Sequence, residues 1–272
     1  MTAPLRLGRI DFINVIPVHR HLAASPLFQE VRAVPSALNR MVRAGELDLA
    51  EVSSVEYARA AGQYLILPDL GLYSRGPVRS VMLLSREPMS FWQGRAVEVP
   101  FESDTSVALL LVLLSRLWGL DCRLVDEGGA EPPVAVLRIG NRALRESASG
   151  HWPLVWDLGQ VWQEWTCLPF VYALWVVRRQ CAAGRGDEVA QLHAALLKAR
   201  DQGLADLEGC AAEAAGVLAG GREYFLEYFR GLGYGLGGKE LEGLGRFYQL
   251  LAEQGLLQVR PEIDIWEPAR RP

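Results

Sequence analysis

The first 85 residues of this chain alternate between strand patterns and helix patterns, and this alternation restricts the fold more than any other feature. Pro35 and Gly45 bound the clearest helix pattern, a shorter helix is expected over residues 19–24, and Ser54 can cap a third helix. Segments typical of β-strands cover residues 5–12, 29–34, 47–52 and 64–67. Strands that alternate with helices predict a mainly parallel sheet covered by helices.

The same alternation returns in the middle of the chain and then stops. From residue 186 onward the apolar residues fall at helical spacing. Two α/β units joined by two long apolar strands predict an α/β, bilobed fold with two crossover strands. Residues 1–85 and 179–272 then form the first lobe with its helical tail, and residues 86–178 form the second. Strand patterns in the middle of the chain cover residues 78–85, 96–99, 122–125, 134–139, 155–158 and 169–178.

Composition and charge exclude several classes of protein. Half of the 272 residues are hydrophobic, which is ample for a core, and the net charge is −4. A non-specific nucleic-acid binder normally carries a basic face, so no nucleic-acid partner is expected. The apolar runs are shorter than the roughly 20 residues that span a bilayer, and the N-terminus lacks a secretory signal. We therefore expect a cytoplasmic protein without a membrane partner, and predict no particular oligomeric state.

Cysteine and histidine spacing predicts neither disulfides nor a metal site. His19 and His21 are two residues apart, without a set of carboxylate or cysteine ligands nearby in the sequence. A chain of this length does not need disulfide staples. We expect reduced thiols, no bound metal and no cofactor. The four cysteines have no CxxC spacing, and they are Cys122, Cys167, Cys181 and Cys210.

Neutral polar residues follow several of the predicted strands, at the edge where ligands of bilobed α/β folds bind. No nucleophile elbow, phosphate-binding loop or dinucleotide-binding loop occurs in the sequence. Neutral donors near a helix N-terminus suit an anionic small molecule, because the first-turn amides and the helix dipole favour negative charge. The residues in question are Asn14, Ser53, Ser54, Ser80, Thr105 and Ser106.

Each of these residues also has a purely structural interpretation. The two serines after the third strand can be helix caps, Asn14 can be a turn residue, and Ser80 can face solvent. In the cluster at residues 103–106, capping by Ser103 is as reasonable as an anion site, and Asp104 is expected to point outwards because it would repel an anion. Both interpretations stay open at this point.

Six ordered segments between residues 5 and 178 resemble the chorismate dehydratases of menaquinone biosynthesis. Their order along the chain makes the resemblance more specific than any single motif, and the helical tail is compatible with it. The segments are RLGRIDFINVIPV, LNRMVRAGELDLAEVSSVEYA, LPDLGLYSRGPVRSVMLLSR, SDTSVALL, LRIGNRAL and DLGQVWQEWTCLPFVYALW.

The resemblance implies a fold of the periplasmic-binding-protein type II class and a cytoplasmic enzyme. Its reaction removes water from chorismate to give 3-[(1-carboxyvinyl)oxy]benzoate, the first committed step of the futalosine route to menaquinone. Our hypothesis is that the enolpyruvyl carboxylate of chorismate takes the ring proton, with Asp11 as a fallback base. The implied site has two catalytic residues, Asn14 and Ser80, and five substrate-binding residues, Ser53, Ser54, Thr105, Ser106 and Gly140.

Two positions depart from the family pattern, and two other functions stay open. Cys167 stands where the family usually has glycine, and Asn141 stands where it often has aspartate. We interpret both as drift, although Cys167 would narrow the pocket if it lined the cleft. The alternatives are a small-anion binding protein of the same fold and the sister enzyme of the pathway, which makes a dihydroxynaphthoate from a larger substrate.

Overall fold

The fold contains two β-sheets, which form the cores of two lobes. The computed structural model describes residues 3–100, 104–129, 131–147 and 149–268. Eleven strands lie in these ranges, and they are β1 (Leu5–Ile10), β2 (Phe28–Ala33), β3 (Leu49–Ser53), β4 (Tyr64–Ser74), β5 (Val81–Ser85), β6 (Ala96–Val99), β7 (Arg123–Asp126), β8 (Ala135–Ile139), β9 (Leu154–Asp157), β10 (Phe170–Arg178) and β11 (Leu232–Gly233).

Each sheet combines parallel strands with antiparallel crossover strands. The first sheet has the order β11–β4–β10–β3–β1–β2, with β1 parallel to β2 and β3, and β10 antiparallel to β3 and β4. The second has the order β7–β6–β8–β5–β9, with β6 parallel to β7 and β8, and β5 antiparallel to β8 and β9. The prediction of parallel pairing is confirmed within each βα unit. The two crossover strands, β5 and β10, pair antiparallel with their neighbours, because each enters its sheet from the other lobe.

The two crossover strands belong to the sheets that they enter. β5 pairs in the second sheet and β10 in the first. By sheet membership, the lobes divide between Ser74 and Val81 and again between Asp157 and Phe170, whereas the predicted divisions lie at residues 85 and 178. Both strands are buried along almost their whole length, which accounts for their continuous apolar sequence.

Helices cover the sheets and form most of the last third of the chain, as predicted. The predicted helix over residues 19–24 is wrong, because Pro17 lies in the first turn of an earlier helix, where its missing N–H leaves no bond unmade. The helices are α1 (Ile16–His19), α2 (Pro35–Ala44), α3 (Ser54–Arg59), α4 (Asp104–Val112), α5 (Gly140–Ser147), α6 (Leu158–Thr166), α7 (Arg179–Gly184), α8 (Gly186–Ala205), α9 (Leu207–Val217), α10 (Arg222–Arg230) and α11 (Gly238–Glu253).

β4 is longer than the four-residue strand predicted at 64–67, because a bulge carries it past Pro68. Leu174 pairs with Gly71 and Val176 with Ile66, so residues 67–70 stand out of register. The exposed carbonyl groups of this bulge are satisfied from α8, where the ring of His193 lies 2.8 Å from the carbonyl oxygen of Pro68. A proline that reads as a strand end is therefore accommodated inside the strand.

An aromatic cluster joins the helical tail to the return connection between the lobes. Trp162 of α6 packs against Phe170 of β10 and Phe247 of α11, with ring centroids 5.2 and 5.9 Å apart. The indole N–H of Trp162 donates to the carbonyl of Pro169 at 3.2 Å, so the buried ring has its polar atom satisfied. The last helix of the chain thereby fixes the segment that re-enters the first sheet. In the described ranges, no helix is long and apolar enough to cross a bilayer.

Gly203 lies where α8 packs against α1, and a substitution at this position tests that packing. A Cβ atom at Gly203 would lie 1.8 Å from the carbonyl oxygen of Pro17, whereas one at Gly216 of α9 would have no atom within 4 Å. We expect Gly203→Ala to lower the free energy of unfolding by about 1–3 kcal/mol or more, because backbone must move. The matched Gly216→Ala change should raise it by up to about 1 kcal/mol. Urea denaturation at constant m-value measures both, and equal effects would contradict this packing.

A buried carboxyl group on β3 makes stability depend on pH. Glu51 is 3 % exposed, its Oε2 atom has no hydrogen-bond partner within the described chain, and burial raises its pKa from 4.5 to about 8. Between these two values the folded chain holds a proton that the unfolded chain has released. Stability should therefore fall as pH rises through this range, by about 1.4 kcal/mol per pH unit from this group, and the fall should end above pH 8.

The Glu51→Gln variant should lose this part of the slope, because an amide mimics the protonated carboxyl group. Urea denaturation at pH 6, 7 and 8 compares the variant with the wild type. Glu46→Gln, at an exposed position, serves as the control and should keep the wild-type slope. Identical slopes for the wild type and Glu51→Gln would show that Glu51 is ionised in the folded chain.

Candidate active site

A cavity lies between the two sheets, at the carboxyl ends of β1, β3 and β8. Its volume is about 60 Å³, counted as space open to the centre of a water molecule. Tyr172 is the one described lining residue with an ionisable side chain, and burial raises the pKa of its hydroxyl well above the ordinary value, so it stays neutral. The lining residues are Ile10, Phe12, Asn14, Pro35, Ser53, Leu72, Val78, Ser80, Val81, Ser106, Ile139, Gly140, Tyr172 and Ala173.

Five of the seven predicted site residues line this cavity. Asn14 and Ser53 come from the first lobe, Ser80 from the connection between the lobes, and Ser106 and Gly140 from the second lobe. Sequence positions that are far apart are thus brought to one enclosed space. Most of the remaining wall is apolar, so the few polar groups have defined positions in a largely apolar surface.

Asn14 presents an amide to the cavity from the turn that follows β1. The backbone carbonyl oxygen of Asn14 accepts a hydrogen bond of 2.9 Å from the Tyr234 hydroxyl, which fixes the backbone of the turn. Its side-chain Oδ1 atom is buried and has no hydrogen-bond partner among the described residues. An unpaired buried oxygen costs about 1–3 kcal/mol. Asn14 is therefore suited to a ligand or water molecule that supplies the missing donor.

Ser80 also faces the cavity, and the interpretation in which it faces solvent is wrong. The residue is buried, and its hydroxyl donates weakly to the carbonyl of Val78, at 3.3 Å. Arg79, directly before it, has a φ of 59°, in the left-handed region that side chains disfavour. Ser80 thus extends into the cavity from a strained part of the connection between the lobes.

Ser53 is both a helix cap and a lining residue. Its Oγ atom accepts from the backbone N–H of Glu56 at 3.2 Å and from the side-chain amide of Asn39 at 3.1 Å. The cap of α3 is therefore Ser53 and not Ser54, which is the first residue of the helix. The structural and the ligand-binding interpretations are compatible at this serine, because an oxygen that accepts two hydrogen bonds still has its own proton to donate.

Ser54 and Thr105 contact each other behind the cavity wall. Their hydroxyl oxygens are 3.3 Å apart, and the Thr105 hydroxyl accepts from the backbone N–H of Val55 at 3.1 Å. Both residues are fully buried, and they join the start of α3 in the first lobe to the start of α4 in the second. This geometry supports a role in holding the lobes together more than direct contact with a ligand.

Asp104 reinforces the same junction between the lobes. Its carboxylate pairs with the guanidinium of Arg59 at 2.8 Å and lies 3.4 Å from the amide nitrogen of Asn39. The side chain turns away from the cavity, as expected, although it meets the other lobe and not only solvent. Ser103, the predicted cap, lies outside the described residues.

The two departures from the family pattern have different structural consequences. Cys167 is exposed at the end of α6 with a φ of 59°, a conformation that the expected glycine adopts at no cost, and it does not narrow the cavity. The Oδ1 atom of Asn141 accepts from the backbone N–H of Ile13 at 3.2 Å, a bond that an aspartate oxygen would also accept, so its interpretation as drift stays a prediction. This contact ties the second lobe to the turn that carries Asn14. Asp11, the fallback base, is exposed beyond the end of β1 and is not a lining residue.

Sequence reasoning missed two residues that shape the cavity. Phe12 packs on Gly140, where a Cβ atom would lie 3.1 Å from the phenyl ring and where φ is 54°, so this position suits glycine. Tyr172 also lines the cavity, and its hydroxyl lies 3.0 Å from the Ser74 hydroxyl. Both aromatic residues lie inside apolar runs, so their sequence context resembles that of ordinary core residues. Among the described residues, no group of three His, Cys, Asp or Glu side chains is placed to hold a metal ion.

Two solved structures show a fold similar to that of this chain. A crystal structure of an Archaeoglobus fulgidus protein superimposes with a TM-score of 0.74, at 16 % identity, over 94 % of this chain and 99 % of that one. The periplasmic aliphatic sulphonate binding protein SsuA from Escherichia coli gives a TM-score of 0.69 at 18 % identity, over 100 % of this chain and 94 % of its own. These similarities establish the periplasmic-binding-protein fold.

Sequence relatives give the family. The chorismate dehydratase of Thermus thermophilus is 33 % identical over 75 % of this chain and 79 % of its own length. The chorismate dehydratase of Campylobacter jejuni is 30 % identical over 61 % of this chain and 64 % of its own. The 1,4-dihydroxy-6-naphtoate synthase of Thermus thermophilus is 27 % identical over 66 % and 68 %. The profile of a family described as "Menaquinone biosynthesis" matches residues 5–253, and the chain belongs to this family.

Proposed function

We propose that this protein is an enzyme, a hydro-lyase that removes water from chorismate to give 3-[(1-carboxyvinyl)oxy]benzoate. The observation that carries the proposal is the cavity in which Asn14, Ser53, Ser80, Ser106 and Gly140 meet, with no charged side chain among the described lining residues. Two relatives named chorismate dehydratase support it. A cytoplasmic location follows from a role in biosynthesis and stays a prediction.

The proposed reaction suits a cavity whose described lining residues include no strong base. The ring carbon that bears the enolpyruvyl ether loses its proton to the enolpyruvyl carboxylate of the same molecule. The C–O bond to the neighbouring hydroxyl breaks, the ring becomes aromatic, and the proton leaves with the hydroxide as water. The carboxylate and the proton belong to the same molecule, so the transfer is intramolecular. Holding the two groups next to each other is worth up to about 7–11 kcal/mol of the barrier. The side-chain NH₂ group of Asn14 donates to the carboxylate, its Oδ1 atom accepts from a hydroxyl of the substrate, and the hydroxyl of Ser80 donates to the departing oxygen.

Neutral donors lower the basicity of that carboxylate less than a cation would. A lysine or arginine beside it would lower its pKa and weaken it as a base, because opposite charge favours the ionised form. The described lining residues contain neither. Chorismate carries a second carboxylate, and the two serines from opposite lobes, Ser53 and Ser106, provide hydroxyl groups at separate points of the wall. Ser54 and Thr105 hold the lobes together around the substrate.

Sequence similarity supports dehydration of chorismate over the reaction of the sister enzyme. The chain is 33 % identical to the dehydratase of Thermus thermophilus and 27 % identical to the naphthoate synthase of that organism.

Purified protein should convert chorismate to the aromatic product, observed as a change in the ultraviolet spectrum and by mass spectrometry. Asn14→Ala and Ser80→Ala should each lower kcat by about 10²-fold or more, because each removes a polar group from the reacting atoms. Ser149→Ala, at an exposed position after α5, is the matched control and should keep wild-type kcat.

Three outcomes would replace this proposal. Near-wild-type kcat in both cavity variants would remove Asn14 and Ser80 from the mechanism. Binding of chorismate without spectral change would indicate a binding protein. Consumption of the cyclic futalosine derivative, with chorismate left intact, would indicate the sister enzyme.

A further inference from the structure

The connection from the first lobe to the second ends at Ser80 and contains an unusual backbone conformation. It runs from Arg75 to Ser80 between β4 and β5. Gly76 has a φ of 109°, which glycine tolerates, but Arg79 has a φ of 59° with a full side chain. A residue with a side chain disfavours the left-handed conformation, so another interaction must hold Arg79 in it.

The carboxylate of Asp157, at the end of β9, binds this connection through two backbone N–H groups. Its Oδ2 atom accepts from the N–H of Arg79 at 2.6 Å, and its Oδ1 atom accepts from the N–H of Val78 at 3.1 Å. The Oδ1 atom also caps α6, accepting from Gly159 at 2.9 Å and from Gln160 at 3.2 Å. The Oδ1 atom therefore accepts from α6 and from Val78, whereas the Oδ2 atom accepts from Arg79.

A close approach of α6 to the same connection supports this arrangement. A Cβ atom at Gly159 would lie 2.4 Å from the Tyr172 hydroxyl and 2.8 Å from both the Gly76 carbonyl and the Ser74 hydroxyl. The Ser74 hydroxyl donates to the Gly76 carbonyl at 2.8 Å. The start of the connection is thus packed against α6 without help from Asp157, whereas the bond to Arg79 acts at its end, one residue before Ser80.

We propose that Asp157 is a positioning residue, whose Oδ2 atom holds Arg79 in the left-handed conformation and thereby directs the Ser80 hydroxyl into the cavity. The inference rests on the proposed function of Ser80. It extends that function, because it connects the return segment that carries α6 with the placement of the Ser80 hydroxyl. Without the bond, Arg79 relaxes to a negative φ and Ser80 turns away from the departing hydroxyl.

The Asp157→Asn variant separates the two tasks of the carboxylate. An asparagine retains Oδ1 for the α6 cap, but it places an NH₂ group, which cannot accept, opposite the Arg79 N–H. We expect kcat to fall by about 10–10²-fold with KM changed by less than about threefold, because a displacement near 1 Å at a reacting group costs up to about 10²-fold. Asp206→Asn, the same change at the cap of α9, is the control and should keep wild-type kcat.

A second substitution distinguishes positioning from general damage to the fold. Glycine adopts a φ of 59° without strain, so Arg79→Gly in the Asp157→Asn background should recover about tenfold of the lost kcat. A double variant no more active than Asp157→Asn would overturn the proposal. Unchanged kcat in Asp157→Asn with a lowered melting temperature would also overturn it, since Asp157 would then be only a cap.

The wild-type assay keeps this inference separate from the proposed function. Wild-type protein that does not turn over chorismate contradicts the proposed function. In that case a crystal structure of Asp157→Asn decides the positioning role alone. Arg79 at negative φ, with the Ser80 hydroxyl displaced, supports the proposal, and an unchanged Arg79 overturns it.

Discussion

The architecture depends on the burial of β10 between β3 and β4. The strand arrives from the second lobe, yet residues 170–177 are buried at the centre of the first sheet and pair with a strand on each side. Removing it would expose two neighbouring strands and a continuous apolar ribbon, so the return connection cannot shift freely. Because Ser53 at the end of β3 pairs with Ala173 of β10, next to Tyr172, the same pairing sets one wall of the cavity. The pairing of β10 therefore fixes the point at which the return connection enters the first lobe.

A cavity without charged groups in its described lining is an unusual host for a dicarboxylate, and its physics differs from that of an arginine clamp. Bringing a carboxylate out of water is unfavourable unless hydrogen bonds replace those of water. Hydroxyl and amide groups can supply such bonds without neutralising the charge. The proposed reaction benefits from this choice, since the substrate carboxylate must remain able to take a proton. Weak stabilisation of the bound carboxylate and its confinement beside the ring proton then both favour the proton transfer.

The strand and helix patterns predicted most elements, because the local spacing of apolar residues sets which face of each strand or helix is buried. The exceptions lie where tertiary contacts replace a local preference. β4 continues past Pro68 because α8 reaches the bulge, and α1 begins at Ile16 because Pro17 suits a first turn. Five of the seven predicted site residues line the cavity, but Ser54 and Thr105 join the lobes. Neighbouring polar residues in a sequence look alike, and only the direction of each side chain separates a ligand-binding group from a structural one.

The sequence by itself determined the α/β class, the helical tail, the family and the polar segments that meet at the site. These properties depend on periodicity and on ordered motifs, which are local. Only the tertiary structure decided that the crossover strands exchange lobes, that Asn141 ties Ile13 to the second lobe, and that Asp157 binds Arg79 beside Ser80. Each of these contacts joins residues separated by about 80 positions or more, or depends on which sheet a strand enters. Such contacts arise from the simultaneous packing of both lobes, and no local pattern encodes them.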